Sequence, residues 1–391
     1  MITEVPLTSP AGWPRIPARR LFTRVRRSAV GETGVVTAFR DGEVTLRSNR
    51  RTEGFTNAVQ EHGYQGVRSG DLVIHSMDGF AGAIGVSDSD GKCSPVVHCH
   101  LPSSQVDARF YAYLLRDLAR QGFITSLAKG IRERSTAFDV HTFQSLALPV
   151  PPLAEQRAIA DYLDAETARI DALITKKQQL IHLLEERWIA RRGSLVLQGL
   201  QPTDGSGARL PGWEYPKLGV LIGLQRGHDL PTDLRRPGSV PIVSSGGVSG
   251  LHDTSVASPP GVVTGRYGTV GEVFFIEEEY WPLNTTLYVT EFRGNEPRWV
   301  AFLLESLPLD AESDKSAVGG INRNVIGDLR VPKPPLVEQR SMASELLRTK
   351  DNIEATQRAL SLQVHLLRER RKSIITEAVT GSRSSDLKVA R

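Results

Sequence analysis

Cys93, His98, Cys99 and His100 are the side chains of this sequence best suited to holding a metal ion. In an extended strand His98 and His100 face one side and Cys99 the other, so three ligands do not converge on one tetrahedral ion and no metal site is expected. Other chemistry-like stretches fail on composition or spacing. "SPPG" at Ser258 to Gly261 has the first three residues of an amino-methyltransferase motif but glycine where that chemistry needs an aromatic ring, so it reads as a turn. "GVSDSDGKC" from Gly85 resembles a phosphate loop, yet its spacing is one residue too long and Cys93 stands where a Ser or Thr would bind magnesium. "GRYGTVG" from Gly265 lacks dinucleotide spacing and suits a β-turn, and "IEEEY" (Ile276 to Tyr280) suits a solvated one. No Ser-His-Asp or paired-carboxylate arrangement stands out, so the chain is read as non-catalytic, with no cofactor of its own.

The remaining chemistry is recognition. Arg and Lys neutralise phosphates, while Arg pairs bidentately with guanine and Asn or Gln with adenine. Gly-flanked loops and turns carry such residues in two sets. The first comprises Arg47, Asn49, Arg50 and Arg51 in one turn, with Arg132, Arg134, Ser135 and His141 in a later loop. The second comprises Arg226, His228, Ser244, Ser245, Arg266, Tyr267, Asn322, Arg323 and Asn324.

Loops must be held by rigid elements, and the sequence states those twice. "PPLAEQRAIADYL" begins at Pro151 and "PPLVEQRSMASEL" at Pro334, a register of 183 that continues without a gap. His182 to Trp188 falls on His365 to Arg371, and Ala160, Leu163 and Ile170 fall on Ala343, Leu346 and Ile353. Each copy opens on Pro-Pro and meets no further Pro before Gly199 or Gly381, the punctuation of a long helix. Leu346, Ile353, Leu360, Leu367 and Ile374 recur every seven residues; in the first copy Leu163, Ile170 and Leu184 hold that row and Ile174, Ile181, Trp188 and Leu195 another. This is a coiled-coil seam, interrupted by Lys177 and Arg191 in one copy and by Lys350, Gln357 and Arg371 in the other. Two paired antiparallel rods of ~68 Å, at ~1.5 Å per residue, are expected.

Before each helix lies a region of short alternating runs broken by Gly, Asp, Ser and Pro, as in "GDLVIHSMDGFAGAIGVSDSDG" and "GVVTGRYGTVGEVFFIEEEYWPLNTTLYVTEF". Both open on Gly-Trp, at positions 12–13 and 212–213. The expected fold is α+β: two β-rich domains alternating with two long helices paired as an antiparallel coiled coil, an internal pseudo-two-fold repeat. The blocks are residues 1–150, 151–200, 201–333 and 334–391, the last ending in a tail.

Composition allows two or three domains, and no apolar run has membrane-spanning length. The two cysteines and the lack of an apolar N-terminal segment point to the cytoplasm. Net charge is +4, with ten arginines between Arg15 and Arg51. Residues 201–333 carry 12 basic and 16 acidic side chains, so a polyanion partner there requires Glu277 to Glu279 to lie away from it.

The duplicated Pro-Pro-Leu-x-Glu-Gln-Arg, preceded by "FQSLALPVP" and "IGDLRVPK", resembles the specificity subunits of type I restriction-modification enzymes. "GDLVIHSMDGFAGAIGVS", "YWPLNTTLYV" and "GGINRNVIGDL" are similar to recurrent phrases of that family's target recognition domains. The resemblance implies two such domains (1–150 and 201–333), each reading half of a bipartite site on double-stranded DNA, with two spacer helices. It further implies docking of two methyltransferase subunits through Leu153, Glu155, Gln156 and Arg157 and through Leu336, Glu338, Gln339 and Arg340, and restriction/translocase subunits in the full complex. S-adenosylmethionine would then sit on the methyltransferase subunits, and ATP and magnesium on the restriction subunits. The first domain departs from the pattern: "DVHTFQSL" replaces an Asn-rich loop, and Arg132-Glu133-Arg134-Ser135 lacks the Gly-Gly-Ile-Asn of the second. Two rival readings are a coiled-coil scaffold that binds no DNA and the recognition part of a fused restriction enzyme.

Overall fold

A computed structural model describes residues 2–6, 12–29, 33–50, 63–127, 137–198, 210–267, 271–309 and 321–382. The chain divides into two compact units, Met1–Lys176 with Gln363–Arg391, and Lys177–Leu362. Among the described residues, four helices have ten residues or more: α1 (Ala108–Arg120), α2 (Leu153–Val196), α3 (Pro297–Ser306) and α4 (Leu336–Thr380).

In the first unit β1 (Phe22–Val25), β2 (Leu72–His75), β3 (Ile84–Val86) and β4 (Val97–Pro102) form an antiparallel sheet in the order β1-β4-β2-β3. Asp107 caps α1 by accepting from the Arg109 N–H, satisfying one of the free donors at a helix start. Phe110, Tyr111, Leu114, Leu115 and Leu118 then give α1 a buried face that packs in one core with Leu72, Ile74 and Ile84 of the sheet.

In the second unit β5 (Gly223–Arg226), β6 (Gly261–Gly265), β7 (Val273–Ile276) and β8 (Thr286–Glu291) are ordered β5-β8-β6-β7, again antiparallel throughout. The first strand pairs with the fourth and the fourth with the second, as in the first unit. A helix again follows the fourth strand: α3 starts on Pro297, whose missing N–H is harmless at a first turn, and buries Trp299, Val300, Leu303 and Leu304.

The long helices contribute to both cores. In the first unit Leu163 and Ile170 of α2 and Ile374 and Ala378 of α4 share a core with the sheet and α1. In the second, Trp188 and Val196 of α2 pack with Ala343, Leu346 and Ile353 of α4 and with α3. Gly381, at φ +80°, ends α4, because a left-handed residue after the last turn costs glycine little. Four of the five polar residues of the seam reach across to the other helix. Arg371 meets Asp171 at 3.0 Å in the first unit. In the second, Arg191 pairs with Glu345, Gln357 reaches the Ile181 carbonyl at 3.4 Å, and the Lys350 ammonium sits 5.8 Å from the Trp188 ring centre. Partner positions fall along α4 as they rise along α2, so the pairing is antiparallel. The α+β fold of paired long helices and β-rich domains is the one expected.

Candidate nucleic-acid interface

The loop Pro282–Thr286 in "YWPLNTTLYV" is the point on which the second set of recognition residues converges. The His228 N–H donates to the Pro282 carbonyl at 2.8 Å, the Arg226 Nε–H to the Asn284 carbonyl at 3.4 Å, and the Arg266 N–H to the Thr285 carbonyl at 2.9 Å. Leu283 N–H bonds Val243 O at 2.8 Å, tying in the strand that ends at Ser244, and Ile321 N–H bonds Arg266 O at 3.0 Å, bringing in the Asn322 turn. Four backbone bonds, each satisfying a group that would otherwise be orphaned, and one side-chain bond from Arg226 thus gather five separate segments.

Side chains at this end differ in freedom. The His228 ring is held by Tyr288 (Nε2 to Oη 3.0 Å) with Trp281 beside it. Ser244 Oγ donates to Gly247 O at 2.9 Å, Ser245 is also engaged, and the Arg266 guanidinium lies 4.5 Å over the Tyr267 ring. Asn322 is exposed and is an N-cap: its Oδ1 accepts from the Asn324 N–H at 3.0 Å, which fixes the side chain at the start of a short helix. Arg323 and Asn324 are exposed and line a cleft of about 490 Å³ with Lys217 and Arg293. Lys217 is paired with Asp328 at 2.7 Å and Arg293 with Glu291 at 3.3 Å, so Arg323 is the cation of this cleft with no ion pair among the described residues, suited to a phosphate or a base edge. Glu277 to Glu279 are exposed, with Glu277 held by Arg298 and Glu279 by Ser255.

The first set is looser. Arg47 and Asn49 form one helical turn against the hairpin Val36–Ala38/Val44–Leu46; Arg47 Nε donates to Thr37 Oγ1 at 3.4 Å and Asn49 Nδ2 to Thr45 Oγ1 at 2.8 Å. Arg50 is committed to Asp41 at 2.8 Å and Glu43 at 3.3 Å and stacks on Phe39, so its charge is already matched. His141 is exposed in the first turn of a separate short helix, Val140–Ser145. Arg51, Arg132, Arg134 and Ser135 lie outside the described residues. Asn284, Thr285 and Asp229 belong with the second set but were missed; Asn284 donates to Asp229 beside Arg226. The signal was the "NTT" between two apolar runs, which also reads as an ordinary turn.

The motif residues expected at partner surfaces divide sharply. Gln156 and Gln339 are buried and bonded inside the fold, which corrects their assignment to a docking face. The Gln156 amide accepts from the Asp107 N–H at 2.9 Å and donates to the carbonyls of Pro151 at 2.8 Å and Gln105 at 3.2 Å. Gln339 repeats this, accepting from the Glu296 N–H at 2.9 Å and donating to Pro334 O at 2.9 Å and Asn295 Oδ1 at 3.0 Å. Each pins the start of a long helix to the start of the helix after the fourth strand. Arg157 and Arg340 are exposed, as are Leu336 and Glu338, while Leu153 and Glu155 are half-buried. Glu338 Oε2 accepts from Trp213 Nε1 at 3.0 Å, giving one Gly-Trp its role.

The metal-like residues form two separate pairs. The Cys93 and Cys99 Sγ atoms are 3.9 Å apart in one core cluster, and His98 meets His100 on the opposite face. Phe138 O must accept from His98 Nε2–H at 3.1 Å, so His98 Nδ1 accepts from His100 Nε2–H at 2.7 Å; this leaves His100 Nδ1 buried without a partner among the described residues. Burial lowers His98 to about 4, and burial with the neighbouring His98 lowers His100 to about 3. Among the described residues no group of three or more His, Cys, Asp or Glu is placed to hold a metal, and no helix is long and apolar enough to cross a membrane.

A family model, type I restriction modification DNA specificity domain, matches residues 58–183. The chain is 24% identical over 229 residues to the StySPI specificity subunit of Salmonella potsdam, covering 54% of this chain and 49% of that one. It is 24% identical over 192 residues to the EcoKI specificity subunit of Escherichia coli, covering 45% and 40%. The chain thus spans about half the length of the curated relatives it matches. Two solved structures share its fold. One, of a type I R-M system, has TM-score 0.75 at 16% identity over 96% of this chain and 99% of that one. The other, the HsdS subunit from Thermoanaerobacter tengcongensis, has TM-score 0.58 at 20% identity over 97% and 100%. The resemblance read from the sequence is borne out.

Proposed function

We propose that this chain, which belongs to the specificity-subunit family of type I restriction-modification enzymes, is a non-catalytic reader of a bipartite site on double-stranded DNA. The observation that carries the proposal is one strand order built twice and furnished with unlike loops. The frame is held constant while the groups it presents differ, which suits two readers of two different half-sites. In the second reader Arg323, Asn324, Arg226 and Arg266 contact DNA, with Asn284 and Thr285 among them. Arg47, Asn49 and His141 serve the first, and the long helices act as spacers.

Docking of two methyltransferase subunits, and through them of restriction subunits, is part of the same reading. Leu180, Leu183 and Ile189 of α2 and Leu362 of α4 expose apolar surface in the second unit, and the exposed Arg157 and Arg340, the latter 3.6 Å from Glu296, would join a partner's face. S-adenosylmethionine, ATP and magnesium would be held by those partners, whose setting is the cytoplasm. The purified chain should transfer no methyl group.

The test is Arg323→Ala on a duplex library randomised at both half-sites. Loss of preference at one position of one half-site, at about 1–3 kcal/mol, supports base reading, whereas an even loss over all sequences with a shallower salt dependence assigns Arg323 to phosphate. Unchanged binding and preference would remove Arg323 from the interface. Salt-independent binding of the intact chain would favour the scaffold instead.

A further inference from the structure

In the first unit a cavity of about 980 Å³ opens between the Arg40–Gly42 turn, α1 and the last turns of α4. Its walls are rich in cations, and four carboxylates also face it. Each carboxylate is already engaged. Asp41 is held by Arg50 at 2.8 Å, Asp171 by Arg371 at 3.0 Å and Glu369 by Lys372 at 2.7 Å. Asp117 accepts from Arg120, Gln121 and Thr376 at 2.5, 2.6 and 2.8 Å.

Among the described residues two cations of this lining, Arg116 and Arg368, form no ion pair. Arg116 is half-buried, yet its only hydrogen bond among the described residues is a long one, 3.4 Å, from Nη1 to the Asp41 carbonyl, while its guanidinium lies 4.6 Å over the Tyr113 ring. The fold makes room for it: a Cβ on Gly42 would stand 1.7 Å from Nη1. Arg368, exposed on α4, forms no hydrogen bond or ion pair among the described residues. Holding a cation away from water without an ion pair is unfavourable, and burial, helped by Arg371, lowers the Arg116 pKa against the opposing pull of Tyr113, Asp41 and Asp164. An anion arriving in the cavity would relieve that penalty.

We propose that this cavity is a phosphate-binding site, with Arg116 and Arg368 as its anchoring cations and Tyr113 fixing the guanidinium plane. A planar guanidinium matches two oxygens of a phosphate, and two cations match its charge of about −2. Phe80, Ile174 and Ile375 supply an apolar wall, and the volume is at the upper end of small-molecule sites, which span roughly 300–1,000 Å³. The phosphate belongs either to a free phosphorylated small molecule or to a DNA backbone.

The test uses the full chain and its R116Q and R368Q variants in two arms. The first titrates inorganic tripolyphosphate by calorimetry, so it is independent of DNA reading. The second measures mixed-sequence duplex binding over a salt series. Saturable tripolyphosphate binding, weakened tenfold or more by either substitution with duplex binding unchanged, supports the site with a free ligand. Duplex binding weakened evenly over sequences, with the salt slope reduced by about one per substitution, supports it with a backbone phosphate. If both substitutions leave both arms unchanged, or if tripolyphosphate fails to bind and the duplex slope is unaltered, the proposal is overturned. R116Q removes a charge with no ion pair among the described residues, so its melting temperature should hold or rise; should it fail to fold, exposed Arg368 decides alone.

Discussion

The two units carry the same sheet and fill it differently. Short helices, Ala18–Leu21 and Leu218–Leu221, lead into β1 and β5, and from there Arg24 lies opposite His100 as Leu224 lies opposite Val289. His98 and His100 of β4 therefore correspond to Leu287 and Val289 of β8, and all four are buried. The first unit keeps two neutral imidazoles where the second keeps two aliphatic side chains. What is shared is the pattern of inward-facing positions and the polar anchors at the element ends. Side-chain chemistry on that pattern is free to change if its hydrogen bonds are satisfied, and His100 Nδ1 shows where they are not.

The most forceful challenge to this equivalence is at the seam. Leu163 and Leu346, both fully buried at the same register, should each cost about 2–5 kcal/mol on substitution by Ala, read by denaturant unfolding. A large loss at one site and none at the other would break the repeat. Next come the pins: Gln156→Ala and Gln339→Ala each strand a buried N–H and two carbonyls, for an expected loss of about 3 kcal/mol, whereas replacing exposed Arg157 should change stability little.

Acid should separate the units rather than equate them. Unfolded imidazoles take up protons below pH ~6.5, while His98 and His100 resist down to about 4 and about 3, so protons favour the unfolded chain across that window. Stability should be full above pH ~6.5 and fall by about 1 kcal/mol per pH unit per histidine as the pH drops. Replacing His98 with Leu and His100 with Val, as in the second unit, should flatten this slope in chemical unfolding between pH 7 and 4; an unaltered slope would place the acid sensitivity elsewhere. The smallest effect is expected at the exposed cross-links, where Arg371→Ala and Arg191→Ala should each cost under about 1 kcal/mol and less in high salt.

The sequence by itself determined the helices, their common register, their heptad rows and the places where they start and stop. Those features rest on bonds between residues four apart and on faces that recur every turn, so a local pattern contains them. It also picked out the Gly-flanked Arg, Asn and His that are proposed to form the second recognition end, because they are legible as types. Only the tertiary structure decided that Arg226, His228 and Arg266 meet along Pro282, Asn284 and Thr285, that Gln156 and Gln339 face inward, and that the Asn322 oxygen caps a helix. It alone gave the strand order, in which β1 joins β4 across more than seventy residues. Such pairings are chosen by which buried donors and acceptors find one another at long range, and no spacing along the chain records that choice.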